Sequence, residues 1–302
     1  MSFLPVLLNP ILPVFLILGL GWGLGRAGWM TGDDARTINR FAMTVLVPVV
    51  VLKVLWQAPF HTFSLPPILL YFLAEVILFA LGYQLARRVF GAGPGEGVIL
   101  GYAACFANNV FFGLPIGVLL YGVEGVLPIT MVVVLDSTIT FGGTMFALQA
   151  IREGKVSPGK VVAIIARSPV LLAIAAGTVL GLAEVPMPAP VQTFMDFNGS
   201  AAAPVALFSM GVVLAATRFG WDPAVAAITA LKLLAFPALV WALVGGFGPG
   251  WEEGRKFAFA AAAPTGSMAF GLALLYDVPT TRLAQVMVWT AFLSLFALAV
   301  LA

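Results

Sequence analysis

The stretch GYAACFANNVFFGLPIGVLLY, residues 101–121, decides the fold, because helix-interrupting residues lie inside an apolar run long enough to cross a bilayer. The interruptions are Asn108-Asn109 and Gly113-Leu114-Pro115. A second apolar run, residues 257–276, is interrupted in a similar way at Pro264-Thr265-Gly266-Ser267. Hydrocarbon tolerates unpaired backbone only where it is buried in protein or lines a wet cavity. Broken helices at matching places in two halves of a chain are typical of a secondary transporter's binding site.

The composition is that of a polytopic membrane protein. Of the 302 residues, 61% are hydrophobic and 9% are charged, whereas soluble domains carry about 25% charged residues. The net charge of +2 gives no reason to expect a nucleic-acid partner. The single cysteine, Cys105, and the single histidine, His61, exclude a disulfide framework and a metal cluster built on Cys or His ligands. No cofactor is expected, apart from a coupling ion, either sodium or a proton.

Hydropathy and breaker residues together predict ten transmembrane helices in an all-α membrane protein. Their predicted ranges are 9–26, 37–57, 66–88, 97–121, 126–151, 160–183, 190–217, 223–247, 255–276 and 281–301.

The basic residues predict how these helices are oriented. Of the 15 lysines and arginines, 11 lie in the loops after the odd-numbered helices or in the helix ends beside those loops, two (Arg255 and Lys256) lie on the opposite side, and two (Lys53 and Lys232) are assigned to the helices themselves. Because loops rich in Lys and Arg stay in the cytoplasm, we expect a multi-pass protein of the cell (inner) membrane with both termini outside. Ten helices also require both termini on one side.

Pairs of similar residues recur at a nearly constant offset along the chain. Five helices in each half start from opposite sides of the membrane, so a repeat of residues 1–151 in residues 152–302 would be inverted. The offset is 156 or 157 positions for four pairs: Pro48 and Pro204, Glu75 and Lys232, Ala107 and Pro264, Ser137 and Ser294. The sequence therefore predicts two inverted five-helix repeats.

Several short motifs resemble the auxin efflux carrier family when taken together in their order. These are Ile38-Asn39-Arg40-Phe41 with Val47-Pro48, Asn108 through Pro115 with Tyr121-Gly122, Phe208-Ser209-Met210-Gly211, and Pro264-Thr265-Gly266 with Tyr276. The resemblance spans almost the whole chain. It implies the fold of sodium–bile-acid symporters and sodium–proton antiporters, in which the fourth and ninth helices cross as broken helices. It also implies transport of a small organic anion, either an auxin-like aromatic acid or a dicarboxylic acid.

Two departures from the family pattern favour its compact bacterial branch over the plant carriers. Ala107 stands where the family often has Pro, and the loop between the halves is short, roughly residues 152–160. Both departures put auxin itself in doubt as the substrate.

The substrate site is predicted at the two interruptions. Asn offers both a hydrogen-bond donor and an acceptor, and the N-terminus of a broken helix presents free N–H groups that suit an anion. The alternative is that these polar groups only join ordinary helices by hydrogen bonds. The predicted substrate-binding residues are Asn108, Asn109, Gly113, Pro115, Pro264, Thr265, Gly266 and Ser267.

Ionisable residues within the predicted helices are candidates for ion coupling or charge relay. Such groups are costly in hydrocarbon and usually face a partner or a cavity. Asp136 is a candidate for a coupling proton or a sodium ion, or for hydrogen bonding to irregular backbone. Glu75 and Lys232 occupy related places in the two halves, and either form a structural charge pair or attract the substrate carboxylate. Lys53 lies near a helix end, where it either snorkels to the interface or reaches Glu75.

Other classes of function are disfavoured by what the sequence lacks. An intramembrane enzyme is not expected, because no HExxH or GxSxG motif is present, and a channel lacks a filter repeat. A symporter or antiporter of the bile-acid type, coupled to sodium or protons, is the nearest alternative to a simple anion carrier. The ribbon Gly19, Gly21, Gly23 and Gly25 is typical of close helix packing, either within the chain or in a homodimer.

We expect an impermeant thiol reagent applied to whole cells to leave a cysteine at position 155 unlabelled and to label one placed at the N-terminus, with Cys105 replaced by Ala in both variants. The reason is that the loop around position 155 lies on the side with the excess of basic residues, which is predicted to be cytoplasmic. Labelling both after permeabilisation is the control. Reaction of position 155 from outside would overturn the orientation.

Overall fold

The computed structural model describes residues 3–154, 166, 168–216 and 222–301, and these residues are helical apart from turns, short connections and one isolated β-bridge. The helices are α1 (Phe3–Arg26), α2 (Gly32–Trp56), α3 (Leu65–Val89), α4 (Pro94–Cys105), α5 (Leu114–Gly125), α6 (Leu127–Glu153), α7 (Pro169–Leu182), α8 (Ala189–Ala216), α9 (Pro223–Phe247), α10 (Trp251–Ala262), α11 (Ser267–Leu275) and α12 (Thr281–Leu301).

Six of these helices, α2, α3, α6, α8, α9 and α12, are long and apolar enough to cross a membrane. The chain is therefore a multi-pass membrane protein, as its composition predicts. The predicted sixth helix begins at 160, and residues 160–165 lie outside the described part of the chain, which contains α7 from Pro169. The inverted ten-helix repeat stays a prediction.

The chain forms two compact units, and each unit draws residues from both halves of the sequence. Unit 1 comprises Met1–Leu16, Ser64–Asp136 and Thr217–Ala302, and unit 2 comprises Ile17–Phe63 and Ser137–Ala216. The division follows packing and not the predicted repeats, 1–151 and 152–302. A repeat describes symmetry along the chain, whereas a compact unit describes which helices pack together.

Glycines bring α1 and α8 into close contact within unit 2. A Cβ added at Gly21 would collide with the Phe208 carbonyl, and one added at Gly211 would collide with the Leu18 carbonyl. Gly25 faces Ala215, whereas at Gly19 and Gly23 no atom of the described residues lies near the position of an added Cβ. Two glycines of the predicted ribbon therefore serve packing inside the chain.

Several helices contain one turn of π-helix. These turns cover Ala42–Leu46, Leu85–Val89, Asp136–Thr140 and Leu231–Ala235, and a further one, Asn109–Gly113, leads into α5. A π turn leaves backbone groups off the regular ladder and occurs often at functional sites. Three of them hold predicted site residues: Asn109, Asp136 and Lys232.

In unit 1, an ion cluster ties the starts of α4, α9 and α12 together. Arg282 Nε lies 2.8 Å from an Asp222 carboxyl oxygen, and Arg282 Nη1 lies 3.4 Å from Glu96 Oε1. Asp222 also caps α9 by accepting a hydrogen bond from the Ala224 N–H at 2.8 Å. Burial would raise the pKa of the Asp222 carboxyl, but the hydrogen bonds from Arg282 and Ala224 outweigh it and hold that pKa below its ordinary value.

We expect Asp222→Ala to reduce the free energy of unfolding by about 1–2 kcal/mol at pH 7, the range of a lost helix cap with a partly exposed ion pair. Because folding lowers the pKa of Asp222, its contribution is present above about pH 4, the ordinary pKa of aspartate, and is lost as the pH falls below it. Unfolding in mild detergent, followed by tryptophan fluorescence at several pH values, measures both effects.

Asp222→Asn is the matched variant, because Asn keeps the cap and cannot ionise. We expect it to lose part of the stability at pH 7 and to remove this component of the pH dependence. Equal pH profiles for wild type and Asp222→Asn would contradict the role assigned to the carboxylate.

Candidate functional site

The two sequence interruptions lie together in unit 1. α4 ends at Cys105 and α5 begins at Leu114, while α10 ends at Ala262 and α11 begins at Ser267. The residues between α10 and α11 are extended, and so is the chain just after α4. The two segments cross within one compact unit.

Backbone hydrogen bonding joins the two extended segments. The Asn108 N–H donates to the Pro264 carbonyl at 2.8 Å, and Ala107 and Thr265 form an antiparallel bridge. Pro264 cannot donate from its own nitrogen, so its carbonyl is the group that it offers to the partner segment. This pairing satisfies peptide groups that a membrane interior would otherwise leave without partners.

Thr265 fixes the crossing through both its backbone and its side chain. Its hydroxyl donates to the Ala103 carbonyl at 3.0 Å, near the end of α4, and its N–H donates to the Thr290 hydroxyl of α12 at 3.2 Å. Thr290 is fully buried and was not predicted from the sequence. In the sequence Thr290 is a polar residue within an apolar stretch. Many transmembrane helices contain such a residue, so this pattern does not identify a site.

Two helix starts meet at this crossing. The π turn from Asn109 leads into α5, and α11 starts at Ser267 directly after the bridge. Neither start has a side chain capping it, and Asn108 and Ser267 are 8% and 5% exposed. The Asn109 N–H already donates to the Ala107 carbonyl, and the Ala269 N–H donates to the Gly266 carbonyl. The remaining N–H groups of the two first turns and the positive ends of the two helix dipoles suit an anion.

Asn109 is a buried amide placed by a glycine. A Cβ added at Gly113 would collide with the Asn109 side-chain oxygen, so a larger residue there would force this amide to move. Neither polar atom of the Asn109 side chain has a hydrogen-bond partner among the described residues. Gly266 plays a similar part, because an added Cβ there would collide with the Phe106 ring. These two glycines leave room for the Asn109 amide and the Phe106 ring; their role in substrate binding stays a prediction.

The Lys232 side chain, which belongs to α9, reaches the C-terminal end of α10, the first half of the second broken helix. Its ammonium donates to the Ala261 carbonyl at 2.8 Å, and it sits 4.8 Å from the centroid of the Phe236 ring. Ala261 belongs to the last turn of α10, whose carbonyls have no partner within the helix. A lysine at a helix C-terminus both satisfies a carbonyl and opposes the negative end of the dipole. Lys232 is fully buried.

Glu75 and Asp136 are the buried acids near Lys232. Glu75 is 1% exposed and Asp136 is 3% exposed. Asp136 interacts electrostatically with both Glu75 and Lys232 and has Asn109 as a polar neighbour. Both carboxyl oxygens of Asp136 lack a hydrogen-bond partner among the described residues at normal bonding distance. Unit 1 therefore brings three of the four predicted ionisable residues together.

The fourth ionisable candidate lies in unit 2. Lys53 of α2 forms an ion pair with Asp196 of α8, and both side chains are partly exposed. Its partner is thus an acid of the same unit. Pro115 occupies the second position of α5, where proline is well tolerated.

The described residues contain no group of three or more His, Cys, Asp and Glu side chains that could hold a metal ion. The polar atoms gathered at the crossing are amides, hydroxyls, peptide groups, two carboxyls and one ammonium. Such a set binds charged small molecules and protons by hydrogen bonds and electrostatics.

The chain matches the model of a protein family described as "Membrane transport protein" over residues 6–302. It is 26% identical to the "Putative malonate transporter" of Rhizobium meliloti (strain 1021), over 94% of this chain and 91% of that relative. It is 25% identical to the "Uncharacterized transporter YfdV" of Escherichia coli (strain K12), over 79% of this chain and 78% of the relative.

A third relative is the "Uncharacterized transporter" of Methanothermobacter thermautotrophicus, which is 26% identical over 68% of this chain and 67% of its own length. The family match covers nearly the whole chain, including both broken helices and the ionisable residues beside them. The chain therefore belongs to the membrane transport protein family, the family of the auxin efflux carriers.

Proposed function

We propose that this protein is a secondary carrier that moves a small organic anion across the cell (inner) membrane by alternating access. We further propose that its helices form two inverted five-helix repeats, with both termini outside. The observation that carries the proposal is the crossing in unit 1, where two uncapped helix starts and two asparagine amides lie together. An anion at this place would accept hydrogen bonds that the protein itself leaves unused.

A dicarboxylate of the size of malonate is the substrate that we favour over an aromatic acid. One supporting argument is the relative that is named for malonate and matches almost the full length of this chain. A second is that two uncapped helix starts offer one set of N–H groups to each of two carboxylates. An aromatic monocarboxylate would use one set and would need an apolar wall for its ring.

The site residues divide into those that hold the crossing and those that would hold the substrate. Thr265 belongs to the first group, because its hydroxyl proton and its N–H are both donated within the protein. Asn108 belongs to the second, because its backbone N–H fixes the crossing while its side chain makes no helix cap. This division gives the two residues different expected phenotypes.

We expect Asn108→Ala to weaken malonate binding by about ten- to a hundredfold, because losing one hydrogen bond to a charged group costs about 1.5–3 kcal/mol. Binding to purified protein is measured by isothermal calorimetry, and uptake of labelled malonate is measured in proteoliposomes. Malonamide, which has the same shape without charge, should not compete. The aromatic acid indole-3-acetate tests the alternative substrate class.

Two further variants make this test specific. Asn198→Ala removes another helical asparagine, whose amide donates to the Phe194 carbonyl of its own helix, and should leave malonate affinity unchanged. Thr265→Val should lower the melting temperature, because it leaves the Ala103 carbonyl without its hydroxyl donor. Equal competition by malonate and malonamide, or wild-type affinity in Asn108→Ala, would defeat the anion-site proposal.

A carrier of the bile-acid symporter type, coupled to sodium or protons, is the alternative form of the same function. It is favoured by one observation, the buried acids Glu75 and Asp136 beside the crossing. Dependence of malonate uptake on sodium or on a pH gradient distinguishes a coupled carrier from one driven by the substrate gradient alone.

A further inference from the structure

The buried ionisable residues in the described part of unit 1 are two acids and one base. Glu75, Asp136 and Lys232 are at most 3% exposed, and they comprise two acids and one base. With all three ionised, the cluster would carry one net negative charge. An isolated charge in a low-dielectric interior is very costly, and proteins avoid it by pairing the charge or by binding a proton.

The other titratable groups that interact with Asp136 add no second positive charge. Asp136 interacts with Tyr71, Tyr102 and Cys105 in addition to Glu75 and Lys232. Tyrosine and cysteine are neutral in their protonated forms and add no positive charge. Lys232 is the one cation among the described groups that interact with Asp136.

Lys232 also interacts with groups other than the two acids. Its ammonium donates to the Ala261 carbonyl at 2.8 Å and lies over the Phe236 ring. The ring packs edge-on against Tyr71, with 5.4 Å between the centroids. Lys232 is thus held at the end of α10, and its charge is shared between a helix C-terminus and two carboxyls.

Unmatched polar atoms lie at the same place. Both oxygens of Asp136, both polar atoms of the Asn109 amide and the Tyr71 hydroxyl are buried and have no hydrogen-bond partner among the described residues. Asn109 is a polar neighbour of both Asp136 and Tyr71. A buried carboxyl that carries a proton becomes a donor as well as an acceptor, and it then matches a neighbouring amide or hydroxyl oxygen.

We propose that Glu75 and Asp136 share one proton, taken up from water, with Lys232 as the fixed counter-charge, and that this is the coupling site of the carrier. The proposal rests on the proposed function for its coupling role. Proton binding converts the cluster from one net negative charge to neutrality, and no bond other than the O–H bond forms or breaks. The ammonium of Lys232 disfavours a sodium ion at the same place, because it repels a second cation.

The proton itself is tested without any organic acid, by infrared spectroscopy of the purified protein. A protonated carboxyl has a carbonyl stretch that an ionised carboxylate lacks. Spectra are recorded at pH 6 and above, where exposed carboxyls with ordinary pKa values near 4 are ionised. We expect a band from one protonated carboxyl in wild type, which disappears as the pH is raised further and shifts in heavy water.

Charge balance predicts how the variants behave. Asp136→Asn and Glu75→Gln each leave one acid beside Lys232, so either change alone should remove the whole band. Lys232→Met leaves two acids without a cation and should double it. Asp33→Asn, which changes an exposed aspartate in the first turn of α2, should leave the band unchanged. Gel-filtration profiles verify that each variant remains folded.

Several results would overturn the proposal. They are the absence of the band in wild type, its survival in Asp136→Asn or Glu75→Gln, and its loss when sodium replaces potassium at constant pH, which would assign the site to sodium. The infrared band requires no substrate, so it tests the shared proton independently of malonate transport.

Coupling is tested in proteoliposomes that contain a trapped pH indicator. We expect malonate uptake to move protons in wild type and Asp33→Asn, and to proceed without proton movement in Asp136→Asn. Malonate uptake in wild type without proton movement would overturn the coupling role. Absence of malonate uptake together with a normal band would instead defeat the proposed carrier of malonate and retain the proton site.

Discussion

Peptide groups have no hydrogen-bond partner in hydrocarbon, and the structure of unit 1 follows from this constraint. Breaking two helices frees N–H and carbonyl groups that must be matched by protein. The Asn108 N–H meets the Pro264 carbonyl at 2.8 Å, the Thr265 hydroxyl meets Ala103, and the Lys232 ammonium meets Ala261. Each contact gives a hydrogen-bond partner to a backbone group that the helix break leaves without one. The packing of α3, α9 and α12 around the crossing brings these partners within reach.

The same breaks give the site its electrostatic character. α5 and α11 begin at the crossing and present positive dipole ends, whereas α4 and α10 finish there and present negative ends. Anions are favoured at the starts of α5 and α11, and cations are favoured at the ends of α4 and α10. The Lys232 ammonium lies at the end of α10. These opposite preferences separate the place that favours an anion from the helix end that holds the Lys232 ammonium.

The sequence predicted the features that depend on local chemistry. Apolar length and breaker residues located the interruptions, and the cost of burying charge identified Glu75, Asp136 and Lys232 as special. It did not predict the Lys53–Asp196 pair, the partner role of Thr290, or the division into units that mix both halves. These depend on which helices become neighbours, and a local pattern of apolar residues does not encode that choice in a chain that is 61% hydrophobic. The capping of α10 by Lys232 was missed for the same reason.

The polar groups of the crossing differ in how much of their bonding capacity the protein itself uses. Thr265 and Thr290 form hydrogen bonds with each other and with nearby carbonyls. These bonds stabilise the fold and use most of the two residues' donors. Asn109, Asp136 and Tyr71 keep buried polar atoms without partners among the described residues. Leaving such an atom unmatched costs about 1–3 kcal/mol. A site whose polar atoms were all matched internally would be more stable and would bind nothing, so the unmatched atoms are the ones whose cost a ligand or a proton relieves.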